Sequence, residues 1–105
     1  MLAKKQTTAF KKWFISLPYN VQLVVNDYID RVLQGNTSNC KTLRKGISEI
    51  VINYQKGYRV YYTISRETII LLLTGGYKSG NQKEQNKDIE RAIAFKDYLK
   101  GKGEI

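Results

Sequence analysis

The segment "TIILLLT" (residues 68–74) places five apolar side chains in a row, from Ile69 to Leu73. A strand built from it is apolar on both faces, so it must lie inside a sheet with something packed on each side. Two segments before it, "ISEIVINY" (47–54) and "YRVYYTI" (58–64), alternate with a period of two. Short turns, "QKG" and "SRE", separate the three, so neighbouring strands are expected to pair antiparallel. The third strand is expected to be central, covered by helices and by a facing sheet layer.

The residues before position 47 follow a helical period. Phe10, Trp13, Phe14 and Leu17 fall at i, i+3, i+4 and i+7, one face of a short helix with Thr7 or Thr8 as N-cap. Pro18 opens a second helix, with Val21, Val24, Val25, Tyr28 and Val32 as its apolar stripe and Gly35 closing it. A connection this tight predicts an antiparallel helical hairpin. Residues 3–6 suit a short edge strand, and 35–46 read as a polar loop. Residues 79–86 form a second loop, and a last helix begins from Asn86 as N-cap. Asp88 and Glu90 sit near its positive end, Ile89, Ala92, Ile93 and Tyr98 or Leu99 face inward, and Gly101 ends it. The expectation is one α+β domain over residues 1–105, with an antiparallel sheet and helices packed on one side of it.

Charge narrows the function classes. Eighteen Lys and Arg against nine Asp and Glu give +9, which favours a polyanion, nucleic acid first, or an acidic protein. Histidine is absent and Cys40 is the single cysteine. A zinc site and histidine acid–base chemistry are thereby disfavoured, so any chemistry falls to Lys, Arg, Tyr or a carboxylate. No metal or cofactor is expected. No apolar run approaches the ~18 residues of a membrane span. A lone cysteine and no signal-like N-terminus point to the cytoplasm.

Alternation then sorts the hairpin. Tyr58, Val60 and Tyr62 share one face with Ile50 and Ile52, and this face is expected to be the core. Arg59, Tyr61 and Thr63 share the other with Glu49, Val51 and Asn53, expected to be an open face. There Arg59 either pairs with Glu49 across the strands or serves a ligand. Gly75-Gly76 reads as a sharp turn at the end of the third strand, with Lys78 just beyond. Lys41, Arg44 and Lys45 lie on the rim before the hairpin. Cations interleaved with tyrosines suit phosphate contacts and base stacking on single-stranded RNA.

The strings "WFISL", "KTLRKGISEI", "GYRVYYT", "ILLLTGGYKS" and "QNKDIERA", in this order and spacing, resemble the RelE/ParE toxin superfamily, and within it the HigB-like "addiction module killer protein" group. The resemblance runs from about Phe10 to Ala94. It implies a RelE-like fold and a type II toxin partnered by a cognate antitoxin, HigA-like or another small acidic or helix-turn-helix protein, the complex binding operator DNA. Many superfamily members cleave mRNA on the ribosome by attack of the ribose 2′-OH on the adjacent phosphate. ParE-like members inhibit DNA gyrase without cutting. A toxin that has lost its chemistry and serves as a co-repressor is a third reading. On the nuclease reading, the resemblance implies that Arg59 stabilises the phosphate and Lys78 is a second cation or proton donor. Tyr61 and Tyr77 stack, and Lys41, Arg44 and Lys45 contact RNA. The chain departs from the family pattern in three places. Val51 stands where arginine is usual, Tyr77 replaces an aspartate, and "SGNQKEQNKDI" is about four residues longer than usual.

Overall fold

A computed structural model describes residues 3–66, 69–78 and 81–103. Its elements follow the order β1 (Ala3–Gln6), α1 (Thr8–Ile15), α2 (Tyr19–Leu33), β2 (Cys40–Thr42), β3 (Ser48–Ile52), β4 (Tyr58–Ser65), β5 (Ile69–Tyr77) and α3 (Gln82–Gly101). One sheet in the order β1-β5-β4-β3-β2 organises them. The β2–β3, β3–β4 and β4–β5 pairs are antiparallel, while β1 runs parallel to β5. The expected 3–6 strand is therefore present. A short β2, unforeseen in the polar 35–46 segment, adds the opposite edge.

The two apolar faces of β5 are covered by helices on both sides, which corrects the expectation of a facing sheet layer and of helices on one side only. On one face α1 and α2 lay Phe10, Leu17, Val21, Val25 and Ile29 against Ile50, Ile52, Val60, Tyr62 and Leu72. On the other, α3 lays Ile89, Ala92 and Ile93 against Ile47, Tyr61 and Leu73. Thr7 caps α1: its hydroxyl accepts from the Phe10 N–H at 2.9 Å and donates to the Leu73 carbonyl at 2.6 Å. The cap thus fastens α1 to the sheet as well as starting it.

Gly75 and Gly76 lie within β5 rather than in a turn. A side chain at Gly75 would fall inside the Trp13 ring, and one at Gly76 would strike the Asp88 carboxylate. Their missing Cβ atoms let α1 and α3 approach the strand from opposite sides. Beyond Tyr61 the ladder slips: Tyr61 pairs with Thr74 and Tyr62 with Leu72, leaving Leu73 as the extra residue of a β-bulge.

The last helix starts one turn earlier than expected. Asn81, not Asn86, is the N-cap, accepting from the Glu84 N–H at 2.9 Å, and Asn86 is already helical and bonded to Gln82. The additional residues before α3 are thus mostly an added helical turn. Ser79 and Gly80 of the expected loop, Glu67 of the second hairpin turn and Thr68 of the expected third strand lie outside the described residues. Among the described residues, no helix is long and apolar enough to cross a membrane.

The cap assignment has a direct check. Asn81→Ala should lower stability by about 1 kcal/mol, whereas Asn86→Ala should stay within about 0.5 kcal/mol of the parent. Urea denaturation of both variants distinguishes the two starts.

Candidate functional site

Residues directly opposite in an antiparallel pair share a face. The register aligns Lys41 with Glu49 and Glu49 with Tyr61, then Val51 with Arg59 and Arg59 with Gly76. Both rows lie on the α3 side. Where α3 stops covering the sheet, an open depression of about 290 Å³ remains, lined by Ser38, Asn39, Cys40, Lys41, Val51, Asn53, Arg59 and Lys78. Three of the predicted site residues, Lys41, Arg59 and Lys78, meet there although they come from β2, β4 and the end of β5.

Arg59 lies on a wall of this depression but is not on an open face. Its side chain is 14 % exposed, and Nε lies 3.5 Å from the Glu49 carboxylate, itself 2 % exposed. Gln85 Nε2 donates to the same Glu49 oxygen at 3.4 Å. Arg59 therefore pairs with Glu49 and lines the depression at the same time. Its Nε and Nη1 are buried and make no hydrogen bond among the described residues, the contact of Nε with Glu49 being an ion pair.

Asp88 of α3 completes the charge cluster, seated against the Cα of Gly76 and bonded by Arg91 at 3.1 Å. Burial raises its pKa, Arg91 and Arg59 oppose the rise, and Glu84 adds to it. The residues lacking a side chain at this point, Gly76 above all, make the space that Asp88 occupies beside Arg59.

Lys78 is held differently. Its backbone N–H donates to the Gly57 carbonyl at 3.1 Å, and its Nζ donates to Asn53 Oδ1 at 2.5 Å. Tyr77 beside it is 51 % exposed, its ring 5.9 Å from that of Tyr58. It flanks the depression without lining it.

Tyr61 corrects the sequence reading outright. It is 0 % exposed, packed under α3, so its ring has no free face for a base to stack on. Burial, then the charges of Asp88 and Glu49, push its phenol far above the usual tyrosine range, and its hydroxyl has no partner among the described residues. Arg44 and Lys45 do not line the depression. Arg44 is ion-paired with Glu90 of α3, and the Lys45 carbonyl accepts from Lys96 Nζ at 2.7 Å. They clip the β2–β3 loop to α3. Asn53 and Asp88 were not singled out as site residues. The period-two spacing from Val51 to Asn53 carried the first, while nothing local to Asp88 signalled the second.

Residues 12–97 match the family described as phage derived protein Gp49-like. The chain belongs to the Gp49-like family. Lys41, Arg59, Lys78 and Asn53 all fall within the matched span of this Gp49-like protein. An uncharacterized protein of Haemophilus influenzae is 35 % identical over 89 residues, 84 % of this chain and 86 % of that one. Among solved structures, the Gp49-like chain is similar to the isolated E. coli RelE toxin. The TM-score is 0.64 at 15 % identity, covering 87 % of this chain and 98 % of that one. It is also similar to a chain of the intact E. coli RelBE toxin-antitoxin complex, with TM-score 0.62, 18 % identity and 72 % and 95 % of the two chains covered. A chain of the toxin-antitoxin complex RelBE2 from Mycobacterium tuberculosis gives TM-score 0.59 at 21 % identity, covering 73 % and 98 %. The fold of the Gp49-like protein is thus the RelE fold, as the sequence motifs implied.

Two outcomes follow from the burial in this region. Tyr61→Phe removes a buried hydroxyl that has no partner among the described residues, so stability should hold or rise by about 1 kcal/mol in a urea melt. Burial also raises the Cys40 thiol pKa, partly offset by a hydrogen bond with Tyr62. The thiolate is the reactive form, so Cys40 alkylation by iodoacetamide should reach half its maximal rate at a higher pH than that of a small free thiol. A midpoint at or below the free thiol would contradict this environment.

Proposed function

We propose that the protein is the toxin of a type II toxin–antitoxin pair and that it cleaves mRNA on the ribosome. The observation that carries this reading is the convergence of Lys41, Arg59 and Lys78 on one depression, within a fold otherwise found in RelE toxins. Its net charge of +9 suits a ribonucleoprotein partner.

The chemistry requires the 2′-oxygen to bond to the neighbouring phosphorus as the P–O5′ bond breaks, the 2′-OH proton leaving to solvent, with negative charge growing on the phosphoryl oxygens. A guanidinium remains charged at any working pH and offers a planar fork of donors to those oxygens. Arg59 takes this role, its orientation set by Glu49 behind it. Lys78 supplies the second cation and protonates the departing 5′-oxygen, and Lys41 holds a flanking phosphate. Tyr77 is the exposed ring beside the depression for a base to stack on. A cognate antitoxin is the partner, meeting the cationic face with acidic groups. The complex works in the cytoplasm and binds operator DNA through the antitoxin.

The second reading is a ParE-like gyrase inhibitor. Val51 favours it, because this apolar residue faces the depression directly across from Arg59, where a further cation would strengthen phosphate binding.

The test is 5′-end mapping of an mRNA in a reconstituted translation reaction, beside the same RNA without ribosomes. Cuts are expected only on ribosomes. Lys78→Ala, an exposed change, should slow them by about 10²-fold. Arg59→Ala is a poorer probe, since stranding buried Glu49 costs about 3–5 kcal/mol. Arg59→Lys keeps a charge beside Glu49 and should fold while cutting slowly. No cuts in either reaction, with gyrase supercoiling blocked, would replace the nuclease by the inhibitor.

A further inference from the structure

Among the described residues, arginines pair with carboxylates: Arg31 with Asp27, Arg44 with Glu90, Arg59 with Glu49 and Arg91 with Asp88. Lys78 has hydrogen bonds of its own, and among the described residues no carboxylate pairs with it. Its backbone N–H bonds to the Gly57 carbonyl at 3.1 Å, and its ammonium bonds to Asn53 Oδ1 at 2.5 Å. Its stem crosses the turn so closely that a Cβ on Gly57 would lie 2.8 Å from Lys78 Cβ and 2.9 Å from Cδ. Gly57 also has φ +87°, so it serves both the turn and the passage of the lysine.

We infer that Asn53 and Gly57 are positioning residues that cradle Lys78 across the β3–β4 turn and present its full charge to the depression. The inference rests on the nuclease reading for its purpose, not for its geometry. A lysine can only donate, so it fixes the Asn53 amide with oxygen toward the ammonium. A neutral amide orients the cation without neutralising it, whereas a carboxylate at the same place would cancel the charge a phosphate needs. Gly57 removes the one atom that would lift the stem off the turn. A long, flexible chain thereby arrives at the substrate already ordered, which a cation acting on a transition state requires.

The experiment combines a chemical and a kinetic readout on the full chain. Acetylation of each lysine by acetic anhydride, followed by mass spectrometry, compares Lys78 with the exposed Lys4 and Lys5 of β1. Lys78 should react several-fold more slowly than these in the parent. It should match them in Asn53→Ala, and stay slow in Asn53→Asp, which keeps an acceptor at that position. On ribosomes, Asn53→Ala should lower kcat by about 10- to 100-fold with KM little changed, while a merely weakened fold would lower the melting temperature instead. Gly57→Ala should act likewise; if it fails to fold, Asn53→Ala decides alone. Lys78 reacting like Lys4 and Lys5 in the parent, or Asn53→Ala cleaving at the parental rate, would overturn the cradle. A parent that cuts nothing, with Lys78 slow and released by Asn53→Ala, would uphold the cradle and overturn the nuclease reading.

Discussion

Two adjacent glycines in β5 set how closely the helices can approach the sheet. Trp13 occupies the space above Gly75 and Asp88 the space beside Gly76, so α1 and α3 press on one strand from opposite sides. The apolar run of β5 demanded cover on both faces, and helices provide it at a depth that side chains here would prevent. Everything at the site depends on this. The seat of Asp88 sets α3 over Tyr61 and beside Arg59, and no residue of α3 lines the depression. The pair contributes by lacking atoms, and the functional groups stand around the space so created.

The charges around that space divide into two kinds. Arg59 is backed by a buried carboxylate and stays oriented at the expense of part of its field, while Lys78 is held by a carbonyl and an amide and keeps its charge. Lys41, at the sheet edge, faces Glu49 across the β2–β3 pair. Glu49 is thus ion-paired with Arg59 and sits opposite Lys41 in the ladder, and its burial ties the strength of the site to the folded state. Breaking such a pair strands a charge, so orientation of Arg59 and stability of the hairpin are not separable properties.

Much of this was legible in the chain. Period-two alternation gave β3 and β4 their inner faces, and the i, i+3, i+4 pattern gave α1 its core face. The alternative that Arg59 pairs with Glu49 followed from alternation alone. The open face did not survive, because Glu49, Arg59, Tyr61 and Thr63 read as polar, and a polar strand face looks solvated unless the helix that covers it is known. The last helix buries Ile89, Ala92 and Ile93, with Phe95 and Leu99 only partly buried, a stripe too weak to announce its target. Gly75-Gly76 looked like a turn since glycine at a strand end has two meanings, freedom of φ and absence of Cβ, and only the packing tells which applies. Asparagine is an equally good N-cap at 81 and at 86, so residue type alone does not tell which of the two starts the helix. Asn53 escaped notice because its role depends on a lysine twenty-five positions away.

The parallel pairing of β1 with β5 has a consequence in time. Thr7 reaches Leu73 across 66 positions, so β1 can pair only once a strand far later in the chain has formed. The two helices that follow β1 have little to pack on until β3 to β5 exist. The cationic depression is likewise complete only when the segment through Lys78 has emerged. The sheet, the cores on its two faces and the depression are therefore completed together, when β5 joins β1 and β4. Contacts this distant in sequence also slow folding, which lengthens the interval in which a partner meets an unfinished chain.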